Sequence, residues 1–138
     1  MRRSTVFIAV FPLFAAGAAA AAQPITGQWL TVEKDSLVEI APCGPAICGR
    51  IARILAPTPK GPPTDTNNPN PALRNRPIQG LTILSGFTDK GTSWEGSIYD
   101  PRSGRTYRSL LKLQPDGRLQ VKGCFGPFCR SQLWGRAR

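Results

Sequence analysis

The stretch SWEGSIYDPRSGRTYRSLLKL, residues 93–113, decides the fold class of this chain. Two runs in which apolar and polar residues alternate flank the turn Asp100–Gly104, which has Pro near its start and Gly at its end. Trp94 and Ile98 share one face of the first run, and Tyr107 and Leu111 share one face of the second. A period of two is typical of half-buried β-strands, so the stretch predicts an antiparallel hairpin.

The same alternation continues on both sides of this hairpin. No long segment has the apolar spacing of 3.6 residues that is typical of a helix. The sequence therefore predicts an all-β fold, either a closed barrel or a sandwich. An eight-stranded up-and-down antiparallel barrel fits the short connections between neighbouring strands best. The predicted strands are Gly27–Lys34, Leu37–Ala41, Cys48–Leu55, Leu81–Phe87, Ser93–Tyr99, Arg105–Leu113, Arg118–Gly123 and Arg130–Arg136.

One long Pro-rich loop, Ala56–Gln79, interrupts the series between the third and fourth strands. It holds seven of the fourteen prolines, which remove backbone donors and exclude helix or central strand. Loops of this length inside a compact domain are usually functional or disordered.

The four cysteines lie in two similar loops, Cys43-Gly-Pro-Ala-Ile-Cys48 and Cys124-Phe-Gly-Pro-Phe-Cys129. Zinc sites built from four cysteines usually have closer pairs, so we predict disulfides. Successive hairpin turns alternate between the two ends of an up-and-down barrel, which puts these loops at opposite ends. The expected pairing is therefore local, Cys43 with Cys48 and Cys124 with Cys129, and its expected role is to shape the turns.

The N-terminus resembles an export signal, with Arg2 and Arg3 before the apolar run Val6–Ala16 and the small residues Ala18–Ala22. We predict a signal peptide over residues 1–22, cleaved after Ala20 or Ala22, and one barrel domain over residues 23–138. A retained membrane anchor is the alternative. Loss of the leader lowers the formal charge from +10 to +8. Such a basic, exported protein, periplasmic or secreted, is attracted to anionic surfaces.

Composition excludes the catalytic mechanisms that depend on histidine and leaves carboxylates, tyrosine or lysine for any acid–base catalysis. The chain has no histidine, which excludes a Ser-His-Asp triad, a Cys-His pair and His-ligated zinc. The possible acids Glu39, Glu95 and Asp100 lie on different elements, and nothing places two of them at the spacing that glycosidases use. We therefore expect no enzymatic activity, no metal and no cofactor.

Motifs spread over the whole predicted barrel resemble the bacterial family catalogued as domain of unknown function 2147. The resemblance implies an exported protein with a lipocalin-like (calycin) barrel, and it implies no assigned activity. The motifs are Gly27-x-Trp29, Cys43-Gly, Cys48-Gly-Arg-Ile51, Asn68-Pro69 with Arg74 and Arg76, Gly80-Leu81, Ile98-Tyr-x-Pro-x-x-Gly-x-x-Tyr107, Gly123-Cys124 and Gln132-x-Trp134-x-Arg136.

Calycins carry Gly-x-Trp on the first strand and a basic residue on the last strand, packed over the indole. Gly27, Trp29 and Arg136 match this arrangement, so we expect Trp29 and Arg136 to close the barrel. A guanidinium over an indole contributes about 0.5–2 kcal/mol, depending on its desolvation.

In the predicted topology, the loops after strands 1, 3, 5 and 7 share one end, which is where a mouth would lie. Asp65, Asn68, Arg74 and Arg76 belong to the long loop and are candidates for binding an anion or polar ligand. The alternative, which we favour, is that Asp65 and Asn68 cap turns and that one arginine pairs with Asp65.

Aromatic side chains provide the remaining candidates. Trp94, Tyr99 and Tyr107 either line a ligand cavity or belong to the core, and the core is favoured. Phe125 and Phe128 flank the second Gly-Pro turn and either form a contact patch or plug the barrel end.

The function predicted from these features is noncatalytic binding in the cell envelope, of a small or anionic ligand in the barrel or at its mouth. The alternative is a structural or protein-interaction module of the periplasm, built on a barrel filled by its own side chains. We expect a monomer, no specific nucleic-acid partner, and no transmembrane segment after signal cleavage.

Overall fold

A computed structural model describes residues 5–15 and 21–138 of the protein. Eight antiparallel strands close into a barrel in which every strand pairs with its neighbours in sequence, which confirms the predicted topology. The strands are β1 Gly27–Leu30, β2 Ser36–Cys43, β3 Ala46–Ile54, β4 Thr82–Asp89, β5 Trp94–Asp100, β6 Arg105–Leu113, β7 Leu119–Phe125 and β8 Phe128–Arg136.

The hydrophobic core lies on the inner face of the barrel, as the alternation requires. Val38 and Ile40 on β2, Leu111 on β6, and Leu119 and Val121 on β7 are buried side chains at every second position. A fully buried side chain of this size contributes about 1.5–3 kcal/mol when it is removed from water, so burial of the core as a whole drives folding.

The barrel closes through a short ladder between its first and last strands. Trp29 pairs with Arg136 and Leu30 pairs with Gly135. The Arg136 guanidinium lies 4.2 Å from the Trp29 ring centroid and donates a hydrogen bond to the Thr26 carbonyl at 3.1 Å. Trp29 itself is fully buried, and its indole donates to the Ile25 carbonyl. The stacked indole and guanidinium thus reinforce a closure that has few ladder pairs.

Both disulfides are local, as predicted. Cys43 bonds to Cys48 and Cys124 bonds to Cys129, each across the end of a hairpin. The cysteines belong to strands rather than to loops, because the ladder continues to Cys43 opposite Ala46 and to Phe125 opposite Phe128. Each connection therefore has two residues, Gly-Pro, with the glycine at positive φ.

The predicted end of the first strand is wrong. β1 stops at Leu30 instead of Lys34, because residues 31–35 form a turn in which Lys34 has φ 58°. The Thr31 amide donates to the Ser36 carbonyl, and the Lys34 amide donates to the Thr31 carbonyl. These local hydrogen bonds reverse the chain and direct it into β2.

Residues 55–81 connect β3 to β4. At the end of this connection the Gly80 amide donates to the Ile51 carbonyl of β3, and the Ile51 amide donates to the Leu81 carbonyl. The connection contains a single 3-10 turn, Pro71–Leu73, and an isolated bridge between Thr64 and Pro77. Asn70 caps the 3-10 turn by accepting a hydrogen bond from the Ala72 amide. We call residues 55–81 the long segment.

The predicted signal peptide falls partly outside the described residues, since residues 1–4 and 16–20 are among those not described. Val6, Phe7, Ile8, Val10 and Phe11 are 80–92% exposed and have no regular secondary structure. Among the described residues, no helix is both long and apolar enough to cross a bilayer.

Candidate binding cavity

An open cavity of about 700 Å³ lies inside the barrel at the predicted mouth. Its walls come from the inner faces of the strands, and its rim comes from the connections after β1, β3, β5 and β7. Core side chains such as Phe87, Leu111 and Leu119 fill the rest of the barrel interior. Apolar side chains that line the cavity include Val38, Ile51, Ile54, Ile78, Ile83, Ile98, Val121 and Trp134.

A small residue helps to keep this space open. Gly123 lies on the cavity wall, and a Cβ built there would meet Ile98 and Tyr107 only at 3.7 and 3.9 Å, which is ordinary contact. Its ladder partners are Ser109 on β6 and Arg130 on β8. Ser109 is fully buried, and its hydroxyl has no hydrogen-bond partner among the described residues.

The inner face of β8 carries two polar side chains into the cavity. Phe128, Arg130, Gln132 and Trp134 occupy alternate positions, and all four line it. The side-chain oxygen Oε1 of Gln132 accepts a hydrogen bond from the Trp134 indole at 2.9 Å. Arg130 makes no ion pair or side-chain hydrogen bond with any described residue, so its guanidinium donors are available to a ligand.

An ion-pair network ties together two sides of the rim. Arg102, in the β5–β6 turn, donates to the Glu33 carboxylate at 2.9 Å and to Asp35 at 3.0 Å, both in the β1–β2 connection. The hydrogen bond to Glu33 outweighs the opposing effect of burial and raises the pKa of Arg102. Burial acts to raise the pKa of Asp35, but the Thr31 hydroxyl and Arg102 together bring it below its usual value.

The long segment is anchored by the buried carboxylate of Asp65, which is fully inaccessible to solvent. It accepts hydrogen bonds from the Tyr99 hydroxyl at 2.6 Å, the Asn68 amide at 2.9 Å and Arg76 Nε at 2.8 Å. Arg74 Nε donates to the Asn68 carbonyl at 2.8 Å. Asn68 and Arg76 of the predicted loop residues thus bind the Asp65 carboxylate directly, whereas Arg74 binds the backbone of Asn68.

The pKa values of this cluster follow from its contacts. Burial acts to raise the pKa of Asp65, but the hydrogen bonds from Tyr99, Asn68 and Arg76 outweigh burial and lower it. Burial and the neighbouring Asp65 raise the pKa of Tyr99. The carboxylate is therefore ionised and the phenol neutral at ordinary pH. The arrangement matches the interpretation in which these residues hold the segment, and a role for them in ligand binding remains a prediction.

The three aromatic candidates do not share one site. Tyr99 and Tyr107 line the cavity, and the ring of Tyr107 contacts Phe125 edge to face at 6.4 Å between centroids. Trp94 lies at the opposite end of the barrel, beside a smaller pocket of about 220 Å³, and its indole donates to the Gln23 carbonyl. Phe125 and Phe128 stand opposite each other across β7 and β8, 67% and 78% exposed, at the cavity rim.

The candidate acids lie apart. Glu39 forms an ion pair with Arg50 at 3.0 Å, and Glu95 forms one with Arg108 at 3.5 Å. Neither glutamate lines the cavity, whereas the third candidate acid, Asp100, does. Within the described ranges, no group of three or more acidic or cysteine side chains is arranged to hold a metal ion.

Sequence reasoning missed Arg130 and Gln132. The sequence did contain the evidence, because Arg130 and Gln132 lie four and two residues before Trp134, which packs in the core. Period two places all three on one face of β8. A charged residue at an inward position of a barrel strand indicates either a partner or open space inside.

The family of the chain follows from comparison with known proteins. The model of a bacterial family, described as "Uncharacterized protein conserved in bacteria (DUF2147)", matches residues 27–136, from the start of β1 to the end of β8. The chain belongs to this family. No curated protein matches this DUF2147 protein.

A solved structure has the same fold as this DUF2147 protein. It is described as "Protein HP1028 from the human pathogen Helicobacter pylori belongs to the lipocalin family". The two share 24% sequence identity with a TM-score of 0.74, and the match covers 83% of this chain and 84% of the other. At this identity the likeness establishes the lipocalin-like fold alone.

Proposed function

We propose that this protein is an exported, noncatalytic binding protein of the cell envelope, which holds a small molecule with an apolar body and an anionic group inside its barrel. The observation that carries the proposal is the open cavity of about 700 Å³. This volume falls within the range of small-molecule sites, which are concave, mostly apolar and supplied with a few polar groups.

The apolar part of the ligand follows from the walls. Isoleucine, valine and aromatic side chains provide most of the apolar lining of the cavity. The polar groups they carry are the two tyrosine hydroxyls near the rim and the Trp134 indole N–H, which already donates to Gln132. The Tyr99 hydroxyl is already engaged by Asp65, which leaves the cavity body apolar. A ligand that buries a hydrocarbon or aromatic body there gains about 25 cal/mol for each Å² removed from water.

The anionic part follows from Arg130. Acidic side chains also reach the rim, but Glu33 and Asp35 share Arg102, and Asp100 accepts bonds from its own turn. Arg130 has no such partner among the described residues and stands next to Gln132. A planar guanidinium binds carboxylate or sulfonate oxygens through two parallel hydrogen bonds, so it would orient an acidic group near the mouth.

A second candidate is an interaction module of the periplasm, and one observation favours it. Phe125 and Phe128 are both strongly exposed at the tip of the β7–β8 hairpin. Aromatic side chains, Phe included, are enriched in the cores of protein–protein interfaces. Crosslinking in the periplasm that captures one specific protein partner through this hairpin would support the second candidate.

Binding of two related dyes tests the proposal. 1-Anilinonaphthalene-8-sulfonate and N-phenyl-1-naphthylamine share an aromatic body, but only the first carries a sulfonate. We expect both to fluoresce on binding to the protein. Gly123→Leu should weaken both by at least about tenfold, because the side chain would enter the cavity. Arg130→Met should weaken only the sulfonate dye, by about tenfold, the loss of a charge-assisted pair.

Matched variants separate cavity effects from damage to the fold. Gly135→Leu introduces the same side chain at a position where a Cβ has no neighbour within 4 Å, outside the cavity lining. Lys122→Met removes a cation one ladder step from Arg130, also outside the lining. Both should bind the dyes like the parent. Equal binding by Gly123→Leu and the parent would overturn the cavity as the site.

Native mass spectrometry on protein purified from the envelope of its host then addresses the natural ligand. We expect a co-purified species of small mass that the Gly123→Leu protein lacks. Purification of both proteins without any bound species, combined with failure of both dyes to bind, would refute the proposed function.

A further inference from the structure

We propose that export processing cuts the chain between Ala21 and Ala22, and that the Asp89 carboxylate binds the new α-ammonium group of Ala22 at the end of the barrel opposite the cavity mouth. This inference rests on the export part of the proposed function. It assigns a processing site and an anchoring site for the chain terminus, and it places them at the end of the barrel opposite the cavity mouth.

The contact between Ala22 and Asp89 carries the proposal. The Ala22 nitrogen lies 3.0 Å from one carboxylate oxygen of Asp89 and 3.1 Å from the other, across 67 residues of sequence. Asp89 ends β4, and its position is fixed because it also accepts the Gly91 amide at 2.7 Å. Two oxygens around one nitrogen suit an ammonium group, which has three donors, better than an amide, which has one.

Ala22, directly after this bond, is the first buried residue among those described. Ala22 is 8% exposed, whereas Ala21 and the apolar leader residues 6–14 are exposed. Gln23 and Pro24 are exposed, but the Gln23 carbonyl accepts the Trp94 indole and Ile25 is fully inaccessible. The packed structure thus begins at Ala22, and the chain before it makes no comparable contacts among the described residues.

The sequence is compatible with cleavage between Ala21 and Ala22 but does not distinguish this bond from its neighbours. Residues 18–22 are all alanine, so the small residues that a signal peptidase requires precede three successive bonds. Hydrolysis consumes one water: the amide bond between the Ala21 carbonyl carbon and the Ala22 nitrogen breaks, oxygen adds to the carbon, and the nitrogen gains protons. The products at neutral pH are an Ala21 carboxylate on the leader and an Ala22 ammonium on the barrel.

Of the charged side chains named near Ala22, Asp89 is the one that stabilises a positively charged terminus. Lys112 lines the adjacent pocket with Ala22, and Lys90 follows Asp89 in the turn. Both are cations and oppose a third positive charge. The positive charge of an ammonium group at Ala22 is neutralised by the Asp89 carboxylate. An ammonium group at Ala21 or Gln23 would lie away from both carboxylate oxygens.

Intact-mass spectrometry of the exported protein tests the cleavage. The full precursor is expressed in a bacterial host, and the envelope fraction is purified without added tags at the N-terminus. We expect a single species that begins at Ala22. A species that begins at Ala21, at Gln23 or elsewhere would overturn this inference and leave the proposed binding function standing. An uncleaved chain confined to the cytoplasm would overturn the export on which both depend.

The stability of the exported protein at different pH values tests the anchoring. An α-amino group has an ordinary pKa of about 7.7–8.0. A carboxylate partner raises that pKa in the folded state, so the stabilisation is complete below pH ~7.7 and is lost as pH rises through the folded value. We expect the unfolding midpoint in urea to fall between about pH 7 and 9.5, and Asp89→Asn to remove that fall while it keeps an oxygen for the Gly91 amide.

Asp116→Asn is the control, because Asp116 makes the same kind of turn contact with the Arg118 amide at 3.0 Å without meeting Ala22. It should keep the fall in midpoint. The same pH profile for the parent and Asp89→Asn would overturn the ammonium contact. The profile ends at about pH 9.5, below the ordinary pKa of the lysines, about 10.4.

Discussion

Asp65 is the residue on which the placement of the long segment depends. Its carboxylate is buried, yet it has three side-chain donors and so meets the condition under which a charge is tolerated inside a protein. Two of these donors come from the long segment itself, and the third, Tyr99, comes from β5. The carboxylate therefore joins the segment to the barrel wall beside the cavity.

We predict that Asp65 makes the protein sensitive to acid. Its pKa is lowered in the folded state, so its stabilisation is complete above the unfolded value of about 3.9 and is lost as pH falls through the folded value. Asp65→Ala should destabilise the protein at pH ~7 by about 3 kcal/mol, since it leaves buried donors without a partner. Urea unfolding at neutral pH and at about pH 3 measures both effects.

The acid effect should be smaller in Asp65→Ala than in the parent protein. Glu39→Ala serves as the control, because its pair with Arg50 is solvent-accessible and such pairs contribute little. A parent and an Asp65→Ala variant with equal stability at neutral pH would contradict the anchoring role.

At the scale of elements, the long segment docks on the β5–β6 turn. Asn67 donates from its amide to the carbonyls of Pro101 and Arg102. Gly104 in the same turn packs directly against the Asn67 backbone, where a Cβ would overlap the carbonyl oxygen. The mouth of the barrel is thus bordered by two connections that hold each other in place.

We predict that Gly104→Ala destabilises the protein more than Gly117→Ala. Both glycines have positive φ, 70° and 86°, so both substitutions incur a similar backbone strain of about 1–2 kcal/mol. Only Gly104 has a neighbour within 4 Å, and the overlap with Asn67 adds at least about 1 kcal/mol. Thermal and urea unfolding of the two variants compare them directly, and equal losses would contradict the docking.

At the scale of the whole molecule, the closed ladder holds the fold and the disulfides act locally. Strands β1 and β8 meet although more than a hundred residues separate Trp29 from Arg136, whereas each disulfide joins residues five apart. Both disulfides link strands that the ladder already pairs. Cutting them removes short rings only and leaves every strand with its neighbours.

We predict that the barrel survives reduction of both disulfides. A ring of about six residues stabilises a protein by about 2 kcal/mol in the chain-entropy account, a modest part of the stability of a domain. Circular dichroism in the presence of a reductant should keep the native spectrum, with a lower thermal midpoint. Complete unfolding on reduction at room temperature would show instead that the crosslinks hold the barrel together.

Much of this fold is readable from the sequence because it depends on local patterns. The alternation in residues 93–113 determines which side chains face inward, and the Gly-Pro pairs determine where hairpins turn. Boundaries were less predictable: Lys34 belongs to a turn because hydrogen bonds between Thr31 and Ser36 outweigh the alternating pattern. The convergence of Asp65, Asn68, Arg76 and Tyr99 joins distant segments, which spacing alone cannot reveal.

By itself, the sequence determined the number of strands, their order around the barrel and the local pairing of the cysteines. It also determined that Trp29 and Arg136 meet where the first and last strands pair. Each of these features depends on periodicity, turn chemistry or a short motif. Only the tertiary structure decided that the interior is open, that Arg130 lines it and that Asp89 meets Ala22. The volume of a barrel is set jointly by the inward side chains of all eight strands, and no single segment specifies it.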